Sequence, residues 1–167
     1  MCILHSTLRD ATTPYTELVY HSMDDLNKII TGKMCPYCQC ETKIVSGDEV
    51  YPHRVNDEPR PKFIDKKYYM CLLDSNHYVG TYNDNITSLG RLANSELRRL
   101  KNQGHNTFDP LWRRNNIFKS RKQAYQWLSK EMGLSLELTH FGMFTVEQCR
   151  KAILLCENLK NEKNGNI

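Results

Sequence analysis

Cys35-Pro36-Tyr37-Cys38-Gln39-Cys40-Glu41-Thr42-Lys43-Ile44-Val45-Ser46-Gly47-Asp48-Glu49-Val50-Tyr51 is the stretch that decides the fold. Two thiols separated by two residues make a tight turn that aims both sulfurs at one spot, as a metal ion or a disulfide requires. Disulfide oxidoreductases share this spacing, but there the second cysteine enters a helix. Here the following residues alternate and are β-branched around a Ser46-Gly47-Asp48 turn. They predict a β-hairpin, which argues against the redox motif.

A zinc site needs two further ligands. Cys71 ends the strand-like run 63–70, and His77 precedes Tyr78-Val79-Gly80-Thr81-Tyr82. The pattern is C-x2-C, a hairpin, then C-x5-H, the layout of a zinc ribbon. Three thiolates and an imidazole select Zn2+ over harder cations. The expected ligands of one structural ion are Cys35, Cys38, Cys71 and His77. Asp74 and Cys40 compete for the fourth place. His53, in the proline-rich 51–62 loop, is near enough to be a spare ligand but reads as a loop residue.

Working outward, Ser22 is a candidate cap for a helix over 23–31 whose buried face would be Met23, Leu26, Ile29 and Ile30. Downstream, a helix is predicted from Asn94 to Gln103, stopping at Gly104, with Leu97 and Leu100 inward. Asp109-Pro110 reads as an N-cap and first turn, with Phe108, Leu111 and Trp112 as core anchors. Ser120-x-x-Gln123 and Thr145-x-x-Gln148 are capping boxes that open two more helices. In the last, Val146, Cys149, Ile153 and Cys156 form one stripe, so both cysteines read as core. The fold class is α+β: a small zinc ribbon joined to a helical unit of about four helices. The expected organisation is an arm (1–33), the ribbon (34–82), a polar linker, a helical domain (89–158) and a frayed tail (159–167).

No segment is apolar for long enough to span a bilayer, and the start of the chain lacks the features of a signal peptide. Seven cysteines, an odd number, suit a reducing compartment with a metal site, so a cytoplasmic location is expected. Charge is uneven. The segment 91–122 carries nine Lys/Arg against two acids, a local +7 within a chain of net +4. Such a block suits a polyanion, although a solvated helix face has the same composition.

Several short pieces, in order, resemble a zinc-finger-containing domain family of unknown function found in bacteria and their phages. They include Cys35-Pro36-Tyr37-Cys38, Tyr78-Val79-Gly80, Leu89-Gly90-Arg91-Leu92-Ala93-Asn94, Phe108-Asp109-Pro110-Leu111-Trp112 and His140-x-Gly142-Met143-Phe144. The resemblance covers roughly residues 34–156. The family tends to close its ribbon with a second C-x2-C; Asp74-Ser75-Asn76-His77 stands there instead, which supports His77 as a substitute ligand. The resemblance implies zinc and carries no activity.

Three functions fit these residues. The first is a nucleic-acid-binding module using Arg91, Arg98, Arg99, Lys101, Arg113, Arg114, Lys119, Arg121 and Lys122, with Trp112, Tyr125 and Trp127 interleaved. The tryptophans' helical spacing favours core packing, so that claim rests on charge. The second is a phage-type factor that binds a host protein complex and modulates transcription, translation or defence. The third is a nuclease or hydrolase using His105, Asp109 and His140. Against catalysis stand the absence of a nucleophile motif, a phosphate loop or paired carboxylates.

Overall fold

The computed structural model of the chain describes residues 22–52, 63, 65–114 and 117–164. Most of the expected arm, the 53–62 loop with His53, and the last three residues lie outside the described residues.

The alternating run forms β1 (Thr42–Ser46), but its hairpin partner does not follow it. Gly47–Val50 is a single helical turn, α2, and the Ser46 N–H donates to Glu49 Oε1 at 3.2 Å. Ser-x-x-Glu is a helix-start signal, and here it wins over the Ser-Gly-Asp turn. The strand that pairs with β1 is β2 (Lys67–Cys71), antiparallel, with Thr42 opposite Cys71 and Ser46 opposite Lys67. β3 (Tyr78–Gly80) pairs antiparallel on the other side of β2, giving the order β1-β2-β3.

β2 is central and buried on both faces. Side chains alternate along a strand, and the packing divides accordingly. Tyr69 and Cys71 pack with Cys35 and Leu92. Tyr68 and Met70 pack with Val45 on the opposite face, where Tyr51 and Tyr78 also gather.

Before the ribbon, α1 (Met23–Ile30) is capped by Ser22, whose hydroxyl accepts from the Asp25 N–H. Its expected apolar face reaches the interior only at Ile29; Met23 is 74% exposed. An eight-residue helix covers the surface beneath it with its last turn alone.

The helical unit has its own core, built from Leu97, Leu100, Phe108, Leu111, Ala124, Leu128, Phe141, Phe144 and the α6 stripe. α3 (Ser95–Phe108) is capped by Asn94, which accepts from the Leu97 N–H at 2.9 Å. The helix does not stop at Gly104. That glycine is buried mid-helix, and a Cβ there would lie 2.0 Å from Phe141 Cε1. It serves close approach of a ring, not termination. Nor does Asp109 act as an N-cap: its backbone is helical, its side chain caps nothing, and its N–H donates to the His105 carbonyl. A short helix, α4 (Pro110–Arg113), follows at once.

α5 (Arg121–Met132) starts at Ser120, which accepts from the Gln123 N–H, and ends at Gly133 in the left-handed region. After a 3-10 turn (Leu136–Leu138), the Thr145–Gln148 capping box opens α6 (Val146–Asn164). Cys149, Ile153 and Cys156 are buried as the stripe predicts. α6 continues beyond Asn158, so the tail's first residues are helical.

The two parts are stitched together. The Tyr78 and Ala93 backbones exchange hydrogen bonds, which ties β3 to the segment leading into α3. Gly90 and Gly142 meet backbone to backbone: a Cβ on Gly90, whose φ is +141°, would lie 2.2 Å from the Gly142 carbonyl oxygen. The Arg91 N–H donates to that same carbonyl. No described helix is long and apolar enough to cross a membrane.

Candidate metal centre and adjoining basic cleft

The two thiols of the opening turn stand on a tight knuckle. The Gln39 N–H donates back to the Cys35 carbonyl, and the Cys35 N–H to the Cys40 carbonyl, both at 2.9 Å. Gln39 takes a left-handed backbone, φ 52°, to complete the bend. A second knuckle follows β2. There the Cys71 N–H donates to the His77 carbonyl, and the His77 N–H to the Asp74 carbonyl. The β1–β2 pairing brings the two knuckles together.

The ligand atoms of Cys35, Cys38, Cys71 and His77 all lie within 4.8 Å of one another. His77 Nδ1 is 3.6 Å from Cys35 Sγ and 3.5 Å from Cys38 Sγ. A tetrahedral zinc with Zn–S of about 2.3 Å and Zn–N of about 2.05 Å sets sulfur and nitrogen about 3.5 Å apart and two sulfurs about 3.8 Å apart. The observed spacing fits. The donor set is soft and closed, so these four residues hold one structural zinc ion with no open position for a substrate.

The competing donors fall into supporting places. Cys40 Sγ is 3.3 Å from Cys71 Sγ, too short for two sulfurs on one tetrahedral ion and suitable for a thiol donating to a thiolate. The Leu73 N–H also donates to Cys71 Sγ. Asp74 Oδ2 lies 3.5 Å from His77 Nε2, the nitrogen that faces away from the sulfurs. That is the carboxylate–histidine–metal arrangement that orients a ligating ring.

Without a metal, burial drives the Cys35 thiol well up and the Cys38 thiol to about 11. Burial also raises Cys71, but N–H groups of Leu73 and Asp74 and the neighbouring Cys40 and Cys35 thiols bring it below the ordinary value. Burial lowers His77, keeping the imidazole neutral, which is the form that ligates.

On the opposite face of the sheet, a cleft of about 920 Å3 opens between the ribbon and the helical unit. Tyr51, Tyr68 and Tyr78 form its ribbon wall, α3 and α5 the other. Of the nine cationic residues expected to face a polyanion, Arg98, Lys101, Arg121 and Lys122 line it. Arg91 is buried at 5% exposure. Arg99, Arg113, Arg114 and Lys119 lie outside the lining, and Arg113 sits over the Trp112 ring. Both tryptophans pack against the helical core.

Lys66, Tyr82 and the sheet tyrosines join the site without having been singled out in the sequence. Nine tyrosines in 167 residues were the available signal. His105 and His140 both line the cleft, whereas Asp109 does not; it lies 3.7 Å from His105 Nδ1 and 3.6 Å from Arg113.

Fold and site together define a zinc-ribbon module fused to a helical unit. The chain belongs to a zinc-finger-containing domain family, whose model matches residues 31–159. No curated protein and no solved structure matches the chain.

Proposed function

We propose that the cleft between the sheet and α3/α5 binds single-stranded nucleic acid. One observation carries this reading. The described residues lining the cleft include five Lys/Arg (Lys66, Arg98, Lys101, Arg121, Lys122), two histidines and five tyrosines, with no Asp or Glu. An acid-free basic groove attracts phosphates, and its low-dielectric walls strengthen that attraction. Tyrosines supply flat faces for unpaired bases. Tyr82, at 54% exposure, is the most accessible of them; Tyr78 is already covered by the Arg98 guanidinium, 3.9 Å from its centroid. Tyrosine faces suit unpaired bases, which favours a single strand over a duplex.

The zinc ion is structural in this scheme. It holds the ribbon wall, and the closed ligand set performs no chemistry.

The test is a fluorescence-anisotropy titration of labelled single-stranded DNA and RNA, using the zinc-loaded protein. Lys122→Gln and Tyr82→Ala each weaken binding, Tyr82→Ala by about 1–3 kcal/mol per stacked base. Arg114→Gln, away from the cleft, leaves it unchanged. Equal affinity across all four proteins contradicts the assignment.

A further inference from the structure

The helical wall of the cleft holds a denser cluster than charge attraction alone requires. His140 stands on the 139–145 loop, and that loop is fixed in place. Lys101 Nζ donates to the Gly142 carbonyl at 2.9 Å and to the Arg91 carbonyl at 3.4 Å. A Cβ on Gly142 would lie 2.1 Å from the Leu89 carbonyl oxygen, so the loop is seated directly on the chain entering the helical unit. One turn beyond Lys101 on α3 is His105, its ring 4.9 Å from that of Phe141. Arg121 opens α5 with its guanidinium 5.3 Å from the Tyr125 centroid.

His140, His105, Lys101 and Arg121 therefore all line the same cleft, from α3, α5 and one braced loop. We propose that His140, His105 and Arg121 form a seat for one phosphate group, with Lys101 bracing the loop and adding its positive charge to the site. The proposal rests on the reading of the cleft as a nucleic-acid site and deepens it. Two imidazoles and a guanidinium supply donors from several directions beside the Lys101 charge, and a guanidinium donor to phosphate is charge-assisted.

The electrostatics agree. Burial lowers His140 first, and then Lys101, Arg121 and His105 lower it further. The groups that lower this imidazole are all cationic or basic, and an arriving phosphate would compensate them. Asp109 Oδ1 lies 3.7 Å from His105 Nδ1 and so bears on the orientation of that ring. The seat accepts either a terminal phosphate or a backbone phosphodiester, because both present non-bridging oxygens.

Inorganic phosphate is the direct probe, read by NMR of the histidine rings at constant ionic strength against chloride. The expected result is a saturable shift of the His140 and His105 signals with an apparent Kd in the millimolar range or tighter, about 1 mM. Arg121→Gln, at an exposed position, weakens that binding about tenfold, the size expected for a lost charge-assisted contact. His140→Gln provides the second variant. Phosphate shifts no larger than those of chloride overturn the seat.

Oligonucleotides separate the sources. With a terminal-phosphate preference, a 5′-phosphorylated strand binds tighter than its unphosphorylated twin, and Arg121→Gln removes the difference. With an internal phosphodiester, both strands weaken equally on Arg121→Gln. If Arg121→Gln and His140→Gln change neither while Lys66→Gln and Lys122→Gln weaken both, the seat fails and the cleft stands. If none of the four variants weakens binding, the cleft itself fails.

Discussion

The Tyr37 ring stacks on His77, with centroids 4.4 Å apart and planes 29° from parallel. A residue inside the first knuckle thus covers a ligand from the second. The Tyr37 hydroxyl also accepts from the Asn94 N–H at 3.2 Å, and Asn94 caps α3. From the other side, Arg98 of α3 donates to the Asn76 carbonyl at 2.6 Å and to its side chain at 2.7 Å, next to His77. Metal centre and helical unit are therefore joined on both sides of the zinc ligands, and Arg98, one of the joining residues, also lines the cleft.

Chelation should separate the two parts. The helical core contains no zinc ligand, whereas the ribbon is small and derives much of its stability from the metal. With a strong chelator, or on Cys35→Ser, helical circular dichroism is largely retained while the near-ultraviolet tyrosine signal of the ribbon collapses. Oligonucleotide affinity falls with it. Complete loss of helix on chelation contradicts independent cores.

Metal affinity should distinguish ligands from supporters. His77→Ala removes a ligand and abolishes tight binding. Asp74→Asn, on a residue that is half exposed, costs about tenfold, the low end of the effect for a residue orienting a ligating histidine. Cys40→Ser keeps one zinc per chain. A competition titration with a chromophoric chelator reads all three, and loss of stoichiometric zinc in Cys40→Ser would make Cys40 a ligand.

Gly104→Ala should destabilise the protein although alanine is the better helix former by about 1 kcal/mol. The added methyl meets the buried Phe141 ring at 2.0 Å. Overpacking of this kind costs about 1–3 kcal/mol, and the shifted ring adjoins His140. Thermal or urea denaturation gives the sign; a stabilised variant would show that Phe141 yields freely.

pH dependence follows from His140. Burial, then Lys101, Arg121 and His105, hold its folded pKa below the ordinary value. The unfolded chain therefore takes up a proton first as pH falls through about 6.5. Stability from this group is complete above that value and declines as pH drops towards the folded pKa. His140→Gln flattens the acid limb of a stability-versus-pH curve. An unchanged slope shows that another group controls it.

How much of this was legible in the sequence differs by kind of signal. The Cys35–Cys38 pair, Cys71 and His77 could be found because ligand chemistry restricts residue type and spacing. The α5 and α6 starts were legible because Ser120–Gln123 and Thr145–Gln148 are local hydrogen-bonded pairs. The failures arose where a second local signal competed with the first, or where long-range packing overrode local pattern. Ser46-Gly47-Asp48 reads as a hairpin turn until Glu49 closes a helical turn and β2 takes the place of the missing strand. Gly104 reads as a stop until Phe141 is laid against it. The cleft was hidden for the same reason. Counting charge along the chain grouped Arg113, Arg114 and Lys119 with Arg121, whereas Lys66 and the sheet tyrosines reach the site only through the β1–β2–β3 register.

The central claim is that the cleft binds single-stranded nucleic acid through its cations, and the salt dependence of a titration tests it most directly. The affinity of the zinc-loaded protein for a short single strand should fall linearly with salt on a logarithmic plot. Three neutralised phosphates give a slope of about −2. The double variant Lys66→Gln/Lys122→Gln should show a shallower slope. A salt-independent affinity, or no binding at low salt, contradicts the account.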